Sequence, residues 1–361
     1  MNAITIVMAA FSIVAAIDRM TGNHLGLGKE FDRGFLLYGN LALAIVGMIV
    51  ISPFLAQLLT PVSDFIANVL GLDPSILPAS LFALDMGGAP LAVQVAKDAR
   101  MGGFNGLVVA SMMGCTISFT VPYSLGVVVK ERREELLMGL LCGVVTIPVG
   151  CLAGGVVLGL PWGALLMNLI PLVVIAGVIT AGLLLWPDGC VKAFGVLGRC
   201  IQIIITLGLA LAVLRFLTGI EILPGLATLE EGAEICLSIC AVLTGAFPMM
   251  HVIAKALKKP MEKLAQKAGV NDTSVTGLLS TLVSSFPTYE MMKDMDRKGA
   301  MFNAAFSVSA AFVFADHMAY AMAFDDTFLT SLIVGKLTAG VLALAVAYFV
   351  WNRIGNKGEK A

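Results

Sequence analysis

The chain alternates long apolar stretches with short polar connections. Eleven stretches are apolar enough for membrane helices, and most reach the roughly 20 residues that a helix needs to cross about 30 Å of hydrocarbon. They are residues 3–17, 35–59, 75–95, 104–129, 136–158, 162–186, 200–219, 233–254, 273–290, 301–324 and 328–351. Because backbone polar groups in lipid must bond within the chain, these stretches predict an all-α polytopic membrane protein.

Two of these stretches contain helix-breaking residues near their centres. Gly87, Gly88 and Pro90 interrupt the first, and Pro287 interrupts the second. The connections on both sides of the second stretch, 273–290, are rich in lysine and arginine. Since such connections collect on the cytoplasmic side, this stretch is expected to enter and leave the membrane on the same face, as a re-entrant hairpin.

The distribution of basic residues predicts about nine transmembrane helices and two re-entrant hairpins that enter from opposite faces. The N-terminus then lies outside and the C-terminus is cytoplasmic. Only Lys97 and Arg100 lie on the unexpected side. The alternative is eleven plain spans. The first stretch lacks a basic start and a small-residue cleavage site, so we interpret it as a retained span.

The two halves of the chain resemble each other weakly. Gly71 and Gly269 are 198 residues apart, as are Ser111 and Ser309. With the opposed hairpins, this spacing predicts inverted repeats, a common design of secondary transporters. The expected division is repeat 1 at 1–160, a linking helix and cytoplasmic loop at 161–199, repeat 2 at 200–352 and a cytoplasmic tail at 353–361.

Composition excludes several classes of function. Charged residues make up 13% of the chain, against about 25% in soluble domains. The net charge of −1 gives no indication of a nucleic-acid partner. Cys236 and Cys240 lie one helical turn apart, but no second pair or nearby histidine completes a metal site, so we expect packing residues. No ATP-binding or hydrolase motif occurs, and we expect neither a cofactor nor an enzyme.

Two carboxylates lie inside apolar stretches, Asp85 in 75–95 and Asp316 in 301–324. An aspartate at the centre of a membrane helix costs about 2.5–3.5 kcal/mol on insertion scales, so it usually faces a cavity or a partner. We predict a cation site at mid-membrane that uses both. The alternative is a structural pair of Asp316 with Lys336 or His317. Lys336 and Glu290 are nearer the ends of their stretches and are expected to reach water.

Other residues close to these acids in the sequence complete the predicted site. The rings of Phe119 and Tyr123 offer faces for an ammonium group, although core packing would also explain them. His317 is expected to bond and orient Asp316 rather than carry protons. Four side chains are candidates for binding a substrate hydroxyl, namely Ser111, Ser118, Ser309 and Asn168. Asp73 and Asn271 are expected to cap helix N-termini.

Nine short motifs run through most of the chain in order. They are LDMGG (84–88), SMMG (111–114), GVVTIPVGCLAGG (143–155), LMNLIP (166–171), GAFPM (245–249), MMKDMD (291–296), VSAAF (308–312), DHMAY (316–320) and IVGKLTAG (333–340). In these motifs the chain resembles the ethanolamine permeases of bacterial ethanolamine-utilisation systems. The resemblance implies a multi-pass protein of the bacterial inner membrane that carries protonated ethanolamine, and it favours facilitated diffusion over ion coupling.

Two other functions stay open at this point. One is an ion-coupled symporter for another small amine or amino acid. The other is a membrane subunit of an ion-translocating enzyme complex. The expected partners are a small-molecule substrate and the lipid bilayer, and a homo-oligomer is also open.

Overall fold

The structure, a computed structural model, describes the backbone of residues 3–358, with the side chains at 3, 258, 264–266, 268 and 354–358 left out. This part of the chain is helical and contains no strand. Its α-helices are α1 Ala3–Met20, α2 Leu27–Leu36, α3 Tyr38–Leu70, α4 Ile76–Leu81, α5 Gly88–Val95, α6 Ala99–Phe104, α7 Val121–Val127, α8 Arg133–Val144, α9 Ile147–Leu158, α10 Trp162–Leu185, α11 Pro187–Thr218, α12 Leu229–Ala268, α13 Asp272–Val283, α14 Phe286–Met291, α15 Arg297–Ala310, α16 Asp316–Phe324 and α17 Leu329–Gly358.

Several helical segments are long and apolar enough to cross a membrane. Among the described residues there are seven: Leu27–Leu70, Ala99–Val127, Lys130–Leu158, Trp162–Leu185, Pro187–Thr218, Leu229–Leu257 and Asp326–Arg353. The prediction of an all-α polytopic membrane protein is therefore confirmed.

Some predicted connections are helical. Residues 187–199, predicted as a cytoplasmic loop, form the start of α11, and the basic segment 255–267 is the end of α12. The physical reason is that charged residues end the lipid-facing part of a helix without breaking its backbone hydrogen bonds. Hydropathy therefore marks the edge of the hydrocarbon rather than the end of the helix.

Both predicted helix breaks are present. Residues 75–95 form α4, a short 3₁₀ turn at Leu84–Met86, and α5, which packs against α4. In the second segment, α13 and α14 also pack against each other. There the Thr288 hydroxyl donates to the carbonyl of Gly277 at 3.0 Å and lies 2.9 Å from the Thr281 hydroxyl. Each segment is thus a helical hairpin with its break at the tip.

The two ends of each hairpin are held together by the same kind of bond. In the first, the Asp73 carboxylate accepts from the backbone N–H groups of Lys97 and Asp98 at 3.0 and 2.9 Å. In the second, the backbone N–H of Asn271 donates to the Asp296 carboxylate at 2.7 Å. Asp73 and Asn271 are 198 residues apart, as are Asp98 and Asp296. The same pair of positions is therefore bonded in both hairpins, but with donor and acceptor exchanged, since the carboxylate is at the start of the first hairpin and at the end of the second.

Asp98 and Asp296 are also the N-cap residues of the helices that follow the hairpins, α6 and α15. Asp98 accepts from the Met101 N–H at 2.8 Å, and Asp296 accepts from the Gly299 N–H at 3.0 Å. The predicted cap at Asn271 is confirmed, because its side chain accepts from the Ser274 N–H at 3.0 Å. One set of polar residues thus fixes where each hairpin ends and where the next helix begins.

The helical segment Ala99–Val127 forms the centre of the molecule. Its middle is π-helical at Asn105–Gly114 and Thr116–Thr120, and every residue of the first π stretch is buried. Helices α4, α5, α9, α15 and α17 contact this stretch. Because π-helical turns are rare and often occur at functional sites, this segment points to the site.

Helix α15 is joined to α8 by an ion pair. Arg297 donates to the buried carboxylate of Glu135, and it lies 3.2 Å from a carboxylate oxygen of Glu134. The guanidinium of arginine stays protonated in proteins, so this hydrogen bond to the Glu135 carboxylate is charge-assisted. The sequence analysis did not single out Glu135, because it lies in a polar connection.

Close packing at Gly114 yields a stability prediction. A Cβ added there would collide with the carbonyl oxygen of Phe82, whereas a Cβ at Gly126 would meet no atom within 4 Å. We expect Gly114→Ala to destabilise the protein by about 1–3 kcal/mol, since overpacking forces the backbone to shift. The apparent melting temperature of the purified protein in detergent should fall. Gly126→Ala is the matched control, and equal melting temperatures for the two variants would contradict this packing.

Candidate functional site

A small cavity lies between the tips of the two hairpins. Its volume is about 70 Å³, several times the ~10–15 Å³ that one water molecule requires. It is lined by Ala83, Asp85, Met86, Cys115, Phe119, Phe286, Phe312, Asp316 and His317. The structure therefore brings together four of the predicted site residues, Asp85, Phe119, Asp316 and His317.

The break of the first hairpin positions Asp85. Gly87 has a φ of 110°, a conformation that L side chains rarely adopt, and a Cβ there would meet the Met48 side chain at 2.7 Å. The break leaves the Ala83 N–H without a helical partner, and it donates to the Ser118 hydroxyl at 3.1 Å. Asp85 is thus held in a short turn whose backbone is bonded to the π-helical segment.

A third break, which the sequence analysis missed, positions Asp316. Residues 301–324 were expected to form one span, but α15 ends at Ala310 and α16 begins at Asp316. Between them Phe312 has a φ of 63°, and the N–H groups of Phe312 and Phe314 donate to the carbonyls of Thr281 and Leu282, both at 3.0 Å. The span is broken because its backbone bonds to the second hairpin.

Asp316 faces the cavity with an unused oxygen. Its Oδ1 atom is buried and has no hydrogen-bond partner in the described part of the chain. Asp85 lies within electrostatic range of Asp316. The N-terminal end of α16 favours a negative charge at this position. Two nearby carboxylates, one with an unpartnered oxygen, make a site that attracts a cation.

Aromatic rings cover one side of the cavity. The ring of Phe119 lies 5.0 Å from that of Phe286 and 5.8 Å from that of Phe312, measured between centroids. Tyr123 stacks on Phe119 at 5.2 Å but does not line the cavity. Phe286 and Phe312 were not predicted. The signal that would have found Phe286 is its position beside Pro287, whereas no glycine or proline marks the break at Phe312.

His317 does not pair with Asp316 as the sequence analysis expected. Its ring lies 5.2 Å from that of Phe312, and its Nδ1 atom is buried without a hydrogen-bond partner among the described residues. Neighbouring residues at the start of a helix point away from each other, which explains why adjacency in the sequence did not produce a bond. His317 therefore offers the cavity a separate polar atom.

The predicted hydroxyl and amide groups do not line the cavity. Ser118 bonds Ala83 and the Gly114 carbonyl, and the Ser111 hydroxyl bonds the Val108 carbonyl. Ser309 is buried, and its hydroxyl has no partner in the described residues. Asn168 lies elsewhere, where it exchanges hydrogen bonds with Asn105 at 2.7 and 2.9 Å.

The predicted helix-breaking prolines begin helices. Pro287 is the second residue of α14, and Pro90 lies in the first turn of α5, which starts at Gly88. The missing N–H of a proline costs nothing in the first turn of a helix. The breaks themselves lie just before these residues.

Lys336 was expected to reach water, and this prediction was wrong. Its side chain is 1% exposed, and its Nζ atom donates to the carbonyl of Ser111 at 2.8 Å. It lies within electrostatic range of Asp85. The position of Lys336 in its apolar stretch did not reveal this, because α17 packs along the length of α9 and leaves no route to the surface.

A second, larger cavity of about 720 Å³ lies between α2, α12 and the second hairpin. Its charged lining includes Arg33, His251 and Asp272, and it extends to Ser284 and Pro287. Phe286, between these last two residues, lines the small cavity instead. The tip of the second hairpin is therefore the wall between the two cavities.

Comparison with known proteins places the chain in a family. The family described as "Ethanolamine utilisation protein, EutH" matches residues 1–350. The chain belongs to the EutH family. It is 41% identical to the "Probable ethanolamine permease EutH" of Listeria monocytogenes, over 98% of this chain and 94% of that protein. It is 36% identical to the protein of the same name in Escherichia coli, over 94% and 93%.

A further relative is the "Uncharacterized protein YxeR" of Bacillus subtilis, with 35% identity over 99% of this chain and 97% of that protein. No solved structure matches the chain.

The bond between Ser118 and Ala83 yields a prediction. Ser118→Ala leaves the buried Ala83 N–H without its acceptor, which costs about 1–3 kcal/mol. We expect a lower melting temperature in detergent. Ser124→Ala is the matched control, because Ser124 is also buried but its hydroxyl, within the described part of the chain, bonds only the carbonyl of Val121, three residues earlier. A melting temperature for Ser118→Ala equal to that of the control would show that this bond does not hold the first hairpin.

Proposed function

We propose that this chain is an ethanolamine permease, which moves protonated ethanolamine across the cytoplasmic membrane by facilitated diffusion or secondary transport. The observation that carries the proposal is the small cavity between two hairpin tips, with Asp85 and Asp316 on its wall. The names of the Listeria and Escherichia coli relatives support the choice of substrate.

The chemistry of ethanolamine suits this cavity. An alkylammonium group is charged near neutral pH, as the reference pKa of about 10.4 for lysine indicates. The unpartnered Oδ1 of Asp316 receives the ammonium, and the faces of Phe119, Phe286 and Phe312 surround it. The Nδ1 atom of His317 accepts from the hydroxyl. Four other predicted residues do not line the cavity and would contact the substrate only after a rearrangement of the protein. They are Ser111, Ser309, Tyr123 and Asn168.

For the membrane topology we propose nine spans and two re-entrant hairpins in inverted repeats, with the N-terminus outside and the C-terminus cytoplasmic. The seven apolar segments supply seven of the spans. Helix α1 and the broken pair α15–α16 supply the other two. The bonds that join the same pair of positions at the ends of the two hairpins support the repeat.

The two basic residues that this topology puts outside have partners. Lys97 lies 3.3 Å from the Asp64 carboxylate, and Arg100 donates to the carbonyl of Leu158 at 2.7 Å. Because both side chains bond to other residues of the protein, the tendency of unpaired lysine and arginine to lie on the cytoplasmic side applies less to them.

The larger cavity then faces the cytoplasm and leads to the substrate cavity. The tip of the second hairpin, at Ser284–Pro287, separates the two. The proposed path of release runs past this tip and past Arg33. The outer faces of α10 and α11, which expose Val173, Val178, Ile203 and Leu207, are covered by lipid or by a second copy of the chain.

Transport by the purified protein tests the function. We expect liposomes that contain only this protein to take up labelled ethanolamine at mildly acidic pH, where little neutral amine crosses the lipid. Asp316→Asn should lower the initial rate at least roughly tenfold, because a neutral amide attracts the ammonium far less than a carboxylate. Asp188→Asn, at an exposed position in the first turn of α11, is the matched control.

Uptake that requires an added soluble subunit would instead favour a subunit of an ion-translocating complex. Equal uptake by the wild type and a folded Asp316→Asn variant would show that Asp316 is a structural residue. An ion gradient that accelerates uptake would identify secondary transport rather than facilitated diffusion.

Labelling of introduced cysteines tests the topology. In a Cys200→Ser background, we expect Lys259→Cys and Lys293→Cys to react with an impermeant reagent from the cytoplasmic face, since a hairpin returns to the side it left. Ile222→Cys, in an exposed connection, should react from the outside. Reaction of positions 259 and 293 from opposite faces would support eleven plain spans.

A further inference from the structure

We infer that a second access cavity, closed in this structure, lies between α3 and the first hairpin, and that the hydrogen bond between Gln94 and Ser52 keeps it closed. When it opens, small ammonium ions reach Asp85 from the outer face of the membrane. The inference deepens the proposed function and rests on it and on the proposed topology.

The long helices beside the two hairpins correspond to each other. Helices α3 and α12 end 198 residues apart, and so do α1 and α11. These helices pack crosswise, α1 against α12 and α11 against α3. A Cβ added at Gly47 would collide with the carbonyl oxygen of Ile205 on α11, and one added at Gly245, 198 residues later, with that of Met8 on α1. These contacts support the proposed repeat, in which α3 corresponds to α12.

The two hairpins meet these helices differently. The first hairpin packs its second helix, α5, against α3. There the Nε2 atom of Gln94 donates to the Ser52 hydroxyl at 2.8 Å, and the Nζ atom of Lys97 lies 3.3 Å from the Asp64 carboxylate. The second hairpin packs its first helix, α13, against α12, and the larger cavity of about 720 Å³ lies between them. The first hairpin is therefore closed on its long helix, and the second is open.

The residues that close the first hairpin have no bonding counterparts 198 positions later. Ser52 and Gln94 correspond to Met250 and Met292, and Asp64 and Lys97 correspond to Glu262 and Met295. Methionine has no hydrogen-bond donor, so neither pair can form in the second half. Two of these counterparts, Met250 and Glu262, instead line the larger cavity. The same positions thus close one half and form the wall of a cavity in the other.

The closed cavity would lead to the small cavity that the open one approaches from the other side. Val283 lines the larger cavity, and the residue 198 positions earlier is Asp85, which lines the small one. Ile49 corresponds in the same way to Phe247, which also lines the larger cavity. A first hairpin that moved away from α3 would therefore open the Asp85 carboxylate to the outer face. Alternating access around one fixed site is the behaviour that repeats of this kind allow.

The reactivity of one buried position tests the inference. Ile49 is 8% exposed, and Val50, the next residue of α3, is 0% exposed. The counterpart of Val50 is Pro248, which does not line the larger cavity. In a Cys200→Ser background, we expect Ile49→Cys to react with an impermeant thiol reagent added outside intact cells, and faster than the matched control Val50→Cys.

Removing the Ser52 hydroxyl should favour the open state. We expect Ser52→Ala to raise the reaction rate of Ile49→Cys roughly three- to tenfold, the change in an equilibrium that the loss of one hydrogen bond produces, and to leave Val50→Cys unchanged. Equal rates for the two cysteines, or a rate for Ile49→Cys that Ser52→Ala does not raise, would overturn the inference. A rise at both positions would show general loosening and would overturn it as well.

A reversible cross-link connects the cavity to transport. Ser52→Cys combined with Gln94→Cys, joined by a short bifunctional methanethiosulfonate, should stop the uptake of labelled ethanolamine, and a reducing agent should restore it. Each single-cysteine variant, treated in the same way, should keep its uptake. Full uptake by the cross-linked protein would contradict the inference. If the wild type takes up nothing, the proposed function fails, and the reaction rates of Ile49→Cys still decide whether the first hairpin opens.

Discussion

The cost of holding charge away from water governs the arrangement at the centre of this protein. Moving a carboxylate or an ammonium out of water costs several kcal/mol even after the surroundings relax. For Lys336, part of this cost is offset by the hydrogen bond to the Ser111 carbonyl and by the electrostatic interaction with Asp85. Asp316, in contrast, keeps a buried oxygen without a partner among the described residues. A cation bound beside Asp316, as proposed, would give this oxygen a partner and offset part of the cost.

Helix breaks are the means by which the backbone brings these charges together. Each break exposes N–H and carbonyl groups that must find partners in a region with little water. At the first hairpin the Ser118 hydroxyl accepts from Ala83, and at the second the N–H groups of Phe312 and Phe314 bond Thr281 and Leu282. Ser118 and Asp316 are 198 residues apart. In the proposed repeat, the position that bonds the first hairpin corresponds to the one that supplies a carboxylate in the second half.

The sequence allowed part of this site to be predicted. Asp85 and Asp316 stood out because carboxylates are costly in apolar stretches, and the hairpin breaks stood out because glycine and proline mark them. The break at residues 311–315 contains neither glycine nor proline, and it arises from hydrogen bonds to residues about 30 positions earlier. Such long-range bonds leave no local pattern. The burial of Lys336 was missed for the same reason, since it depends on the packing of α17 against other helices.

These backbone bonds also link the small cavity to its wall. The tip of the second hairpin separates the small cavity from the larger one, and the carbonyls of Thr281 and Leu282, just before the tip, bond the segment that leads into Asp316. The tip cannot move away alone without leaving two N–H groups unpaired, at a cost of about 1–3 kcal/mol each. Moving the tip and residues 312–316 together avoids that cost. Binding of a ligand beside Asp316 and movement of the hairpin tip that separates the two cavities would therefore involve the same connected segment of backbone.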